Sequence, residues 1–195
     1  MATSVLVAYA TKHGATAGIA EKIGEVLREA GLACDVKPAA TVGDLTSYQA
    51  VVLGSAVYMG AWRKEAAKLL KTQEAQLAQR PVLLFSSGPM GEGDVQELMK
   101  GWRFPTKLLP FADRIHPRGV VVFHGVVNPE DMGFFERWII KNVKSPVGDF
   151  RDWDAIAAWA GRAAGDDAAP ACLHRFVGDR GRARRSGVLM VGSRA

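Results

Sequence analysis

Cysteine is scarce: Cys34 and Cys172 are the only two in 195 residues, and they form no C-x-x-C pair. This argues against a disulfide framework and against a Cys-rich zinc site. The four histidines, His13, His116, His124 and His174, are scattered without ligand spacing, so no metal site is expected. No apolar run reaches the roughly 18 residues of a membrane-span candidate, and no signal peptide precedes the first apolar stretch. A cytoplasmic, reducing location is therefore expected. Charge of one sign is also thin in the body of the chain. The net charge is +5, but residues up to Gly165 carry 19 Lys or Arg against 17 acids, while six Arg and three Asp follow from Asp166 onward. A nucleic-acid binder wants a basic face on its folded domain, so no nucleic-acid partner is expected. The chain has no Walker A loop and no G-x-G-x-x-G. No carboxylate pair or nucleophile–base arrangement stands out, so the catalytic residues stay unknown.

About half the residues are apolar, enough for a sizeable core. Ser4 to Ala10 (SVLVAYA) is continuously apolar and Val-rich, which predicts a strand buried on both faces. A polar loop follows, then a helix with Ile19, Ile23, Val26, Leu27 and Ala30 on one face and Gly31 at its end. Further strands are predicted at Leu32–Lys37, Ala50–Ser55, Pro81–Ser86 and Val120–His124. Helices are predicted with Trp62, Ala66, Leu69 and Leu70 inward, over Met132–Val143, and over Asp152–Ala164 with Trp153, Ile156, Ala157 and Ala160 inward. Asp152 is the expected cap of the last helix. Ser87–Pro117 reads as irregular, with a short helix around Val95–Lys100. Strands alternating with helices give an α/β fold with helices on both faces of a parallel sheet. Five strands suit the doubly wound order 2-1-3-4-5, whose ligand site lies where the strand order reverses. One domain over residues 1–165 is expected, with an Arg-rich mobile tail over 166–195.

The informative segment is Thr11-Lys12-His13-Gly14-Ala15-Thr16, between the first strand and the first helix. Helix-start amides lack intrahelical partners, and the helix dipole favours an anion there. Thr11 and Thr16 add hydroxyl donors, and Gly14 lets the backbone curl without a Cβ clash. The combination suits a terminal monophosphate. The plainer alternative is that both threonines only cap a helix, and that Lys12 is merely solvated. Two later loops lie at neighbouring strand ends: Ser55-Ala56-Val57-Tyr58-Met59-Gly60 with Trp62, and Ser86-Ser87-Gly88-Pro89. A flat ring system needs apolar walls and backbone amides at its edge. Tyr58, Met59 and Trp62 can supply walls, and Gly60 and Gly88 allow close approach. Trp62 reads equally well as a core anchor, and Met59 and Met90 as ordinary packing.

The T-x-x-G-x-T turn, with G-S-A after the third strand, resembles the flavodoxin superfamily. Three stretches, VLVAYATKHGATAGIAEKI, VVLGSAVYMGAW and FFERWIIKNVKSPVGDFRDWDAIAAWA, are most similar to the flavodoxin-domain branch that includes menaquinone-dependent protoporphyrinogen dehydrogenase. The resemblance spans roughly residues 4–164. It implies a flavodoxin-like fold and flavin mononucleotide (FMN), with the phosphate at Thr11–Thr16 and the ring against the later loops. His13 stands where many flavodoxins have Thr, and Ser87–Pro117 mixes acids and bases where porphyrinogen-oxidising members carry a basic insertion.

The resemblance implies an FMN-dependent oxidoreductase passing electrons between a reduced substrate or donor and a quinone or protein partner. A flavodoxin-type electron carrier with no substrate of its own is the alternative. A third reading, a membrane- or RNA-surface protein, rests on the Arg-rich tail and on Phe134–Val143. That segment carries more aromatic and apolar residues than one helix face needs, with Arg137, Lys141 and Lys144 beside them.

Overall fold

The computed structural model describes residues 3–88, 91, 93–131, 133, 134, 138, 142 and 146–167. Strand β1 (Ser4–Ala10) leads into α1 (Ala15–Glu29) and β2 (Ala33–Pro38). Then come β3 (Ala50–Tyr58), β4 (Ala61–Trp62), α2 (Lys64–Thr72), α3 (Glu74–Leu77) and β5 (Val82–Ser87). The second half holds α4 (Val95–Leu98), α5 (Leu109–Ile115), β6 (Gly119–Phe123), β7 (Val126–Val127), β8 (Gly148–Asp149) and α6 (Trp153–Asp167). The main sheet runs β2-β1-β3-β5-β6, all parallel, with β4 antiparallel on β3. Setting the β4 hairpin strand aside, this is the expected doubly wound order.

The Val-rich strands are continuous in sequence because successive side chains serve different layers. Leu6, Ala8, Val51, Leu53 and Leu84 face one core with α2, α3 and α5. Val5, Val7, Val52, Phe85 and Phe123 face the other with α1 and α6. Phe85 is fully buried because its strand partner is Gly54: a Cβ there would lie 2.0 Å from the ring.

Helix α1 buries Thr16, Ile19, Ala20, Ile23, Gly24 and Leu27. It ends at Gly31, whose φ of 87° lets its N–H reach Arg28 O at 2.9 Å while Leu32 N–H reaches Leu27 O at 3.1 Å. This is the paired bonding that a left-handed glycine permits after a helix. Asp152 caps α6 as expected, its carboxylate accepting from Ala155 N–H at 2.9 Å.

Several expectations need correction. The third strand does not stop at Ser55 but continues to Tyr58, then turns back through Met59 and Gly60, both at positive φ (50° and 74°), into β4. Two left-handed residues match the twist of a tight hairpin. Trp62 therefore belongs to a strand, and α2 starts only at Lys64. Trp153, expected inward on α6, is 40% exposed at the edge of its contact with α1, while Ile156 and Ala160 are buried as expected and Ala164 joins them. The segment expected to be irregular holds α5 besides the short α4. Most of the helix expected over Met132–Val143 and nearly all of the tail, residues 168–195, lie outside the described residues.

Candidate cofactor site

The parallel sheet gathers the carboxyl ends of β1, β3 and β5 at one edge, where strand order reverses between β1 and β3. At the end of β1, Gly14 takes φ 82° and starts α1 without a capping side chain. The first intrahelical bond runs from Gly18 N–H to Gly14 O at 3.2 Å. Amides of the preceding first-turn residues, Ala15, Thr16 and Ala17, lack helical acceptors by construction.

Thr16 is the most informative side chain here. It is 1% exposed, and its Oγ1 is buried with no hydrogen-bond partner. An unmet buried hydroxyl costs free energy, and it lies in the turn whose amides and dipole favour an anion. This turn fits a terminal phosphate, and the unmet hydroxyl is what distinguishes it from an ordinary cap. Thr11 and Ala15 are half-buried, and Lys12 is exposed. The Lys12 ammonium lies 5.9 Å from the centre of the Tyr58 ring, which ties the first loop to the β3–β4 hairpin.

The later loops divide into two groups. Tyr58 is 41% exposed, and Met59, at the hairpin tip, is fully exposed. These two, with Gly60, are open at the edge. Ser55, Ala56, Trp62, Ser86 and Ser87 are buried and packed inside the protein. The Ser55 hydroxyl donates to Ala56 O at 2.8 Å and accepts from Arg63 N–H at 2.9 Å. The Trp62 indole donates to Ser86 Oγ at 2.8 Å and meets Phe104 edge-on at 4.8 Å. Val57 packs on the core. The bare Cα of Gly88 accommodates Val57, whose Cβ would be 3.1 Å from an added methyl, and Gly88 N–H donates to Phe123 O. Trp62 is thus an internal anchor in this arrangement. Pro89 and Met90 lie outside the described residues.

Sequence reasoning missed Trp102. Its indole nitrogen would lie 3.7 Å from a Cβ at Gly60, so it borders the hairpin tip. It comes from the segment read as irregular, where no periodicity marks it. Among the described residues no cluster could hold a metal ion, and no helix is long and apolar enough to cross a membrane.

A family model described as a flavodoxin domain matches residues 6–154. The fold is similar to that of a flavodoxin from the domain Archaea, at 13% identity and TM-score 0.57, covering 86% of this chain and 100% of that one. It is similar too to a flavodoxin of Streptococcus pneumoniae TIGR4, at 14% identity and TM-score 0.53, covering 85% and 98%. A third similar structure is flavodoxin 2 of Bacillus cereus, at 18% identity and TM-score 0.52, covering 85% and 98%. No curated protein sequence matches the chain. At such identities the structural likeness is one of fold.

Proposed function

This chain belongs to the flavodoxin-domain family, which implies FMN as its cofactor, and from that premise we propose an FMN-dependent oxidoreductase. It would pass electrons between a reduced organic substrate or donor and a quinone or protein partner, with a porphyrinogen as the specific substrate to try first. The observation that carries the cofactor site is the buried, unpartnered Thr16 hydroxyl in the opening turn of α1.

When bound, FMN supplies the redox chemistry. The protein binds and orients. In this reading the Ala15, Thr16 and Ala17 amides and the Thr16 and Thr11 hydroxyls hold the phosphate, and Gly14 and His13 complete the loop. Lys12, 5.9 Å above the Tyr58 ring, adds positive charge beside it. Tyr58, Met59 and Gly60 offer the apolar and backbone edge for the ring, with Trp102 beside them. Ser55, Ser86 and Trp62 act indirectly, through the hydrogen bonds that fix the hairpin.

A carrier with no substrate of its own is separated by turnover. Steady-state oxidation of a porphyrinogen, or reduction of a quinone, by the purified protein supports the enzyme. One-electron cycling only with reductase proteins gives the carrier. Contact with a membrane surface, where quinones reside, is supported by Phe134 and Trp138. They lie four residues apart in helical conformation and are 91% and 57% exposed. Flotation with anionic vesicles tests it, and a protein that stays at the bottom of the gradient ends that part of the reading.

A further inference from the structure

Helix α6 reaches the start of α1 through a side chain from the link before it. Arg151 follows β8, and its Nη1 donates to the Ala15 carbonyl at 3.3 Å. The guanidinium is held from behind by Asp149: Nε lies 2.8 Å from Oδ1 and Nη2 lies 2.5 Å from Oδ2. The Arg151 backbone N–H donates to the same carboxylate at 3.1 Å. The charge also lies 4.3 Å from the centre of the Trp153 ring, a cation–π distance. Only 17% of the Arg151 side chain is exposed. A planar fork held on two sides by a carboxylate and an aromatic ring has little rotamer freedom left.

Helix α1 has given up a side chain to receive it. A Cβ at Gly18 would lie 2.6 Å from Nη1 and 3.6 Å from the Trp153 ring. Glycine is unfavourable inside a helix relative to alanine, and here its bare backbone is what admits the guanidinium. A cation at a helix start opposes the helix dipole. The arrangement makes electrostatic sense when an anion sits at that start, with Asp149 balancing the charge otherwise.

We propose that Arg151, admitted by Gly18 and aimed by Asp149, is a positioning residue for the phosphate end of the cofactor site. It fixes the turn that carries Ala15 and Thr16 and brings positive charge to it. The inference rests on the FMN reading above and adds a residue outside the loops that reading uses. It also gives the β7–β8 ribbon a purpose: pairing of Val126 with Asp149 sets where the carboxylate stands.

FMN and riboflavin differ only in the phosphate, so comparing them isolates that end. The experiment titrates wild type, Arg151→Gln, Arg151→Lys and Gly18→Ala with each flavin, reading fluorescence quenching, and records a urea melt of each apoprotein. Arg151→Gln should weaken FMN on the order of tenfold while riboflavin stays within about twofold, the size of a charge contribution at a partly buried helix start. Arg151→Lys should fall between, because it keeps the charge and loses the fork. Gly18→Ala should reproduce the FMN-specific loss by displacing Nη1, leaving riboflavin affinity within about twofold, with the gain in helix propensity partly offsetting the lost Arg151 contact in the urea melt. Equal weakening of both flavins, or unchanged FMN affinity in Gly18→Ala, overturns the proposal. Wild-type protein that binds neither flavin overturns the cofactor reading itself, and that result is seen before any variant is compared.

Discussion

Replacing Thr16 by Val exchanges a hydroxyl for a methyl at nearly constant volume, in a residue 1% exposed. Both residues are β-branched with similar helix propensity, so the change isolates the hydroxyl. No protein group hydrogen-bonds to the buried Oγ1. Leaving a buried polar group unmet costs about 1–3 kcal/mol, so Val should stabilise the apoprotein by about 1 kcal/mol. For a chain of this size that is a rise in melting temperature of about 2–4 °C. The effect on FMN has the opposite sign. A hydrogen bond to a charged acceptor is worth about 1.5–3 kcal/mol, which weakens binding roughly 10- to 150-fold. Fluorescence titration of the apoprotein gives the second quantity, and urea denaturation of the same preparation gives the first. A variant less stable than wild type without ligand, or one whose FMN affinity moves less than about twofold, would refute the phosphate assignment.

Gly54→Ala places a methyl within 2.0 Å of the buried Phe85 ring, and overpacking of this kind should cost about 1–3 kcal/mol or more in a urea melt. Adding Phe85→Leu should recover part of the loss; a double variant no better than the sum of the singles contradicts the clash. Burial pushes the Cys34 thiol up to about 11 from 9.0, so at pH 8 its thiolate is depleted about a hundredfold. In a Cys172→Ser background, alkylation should be correspondingly slow in native protein and fast in urea, and equal rates would show Cys34 to be open. Hydrogen bonds from Arg151 hold the Asp149 carboxyl below its ordinary 3.8. Its contribution to stability is present above that value and is lost as pH falls below it, through the depressed folded-state value. Asp149 is 44% exposed, so the effect is small, and Asp149→Asn should flatten only that acid limb of a stability–pH curve.

The large elements were legible because local pattern and buried position agree in them. The Val runs of β1, β3, β5 and β6 and the 3–4 spacing of α1 and α6 each mark their own structure. The loop between β1 and α1 was legible as a helix start for the same reason, since Thr11, Gly14 and Thr16 sit within six residues and α1 does open at Gly14. What was missed depends on distant partners. Trp62 reads as the first inward residue of a helix until pairing of Val57 with Trp62 makes it part of a hairpin. A two-residue strand has no period to detect, and Met59 gives no warning that it will take positive φ. Trp153 has the right spacing for the inner face, but it stands in the first turn of α6, 40% exposed, with Arg151 stacked on its ring. Arg151 itself has a partner 136 residues away, and nothing in its neighbourhood announces that.

Because the five long strands share one direction, the molecule has two unlike poles. One carries the turn at Thr11–Thr16 and the Met59 tip. The other carries Thr3, Ser47 and Arg118, where Ala33 N–H meets Thr3 O, Ser4 Oγ meets Ser47 O and Arg118 N–H meets Val82 O. Ser47 is exposed, so an anchor attached there would fasten the protein to an electrode or bead by its far pole. Incoming reagents would then meet the Thr11–Thr16 turn and the Met59 tip unobstructed.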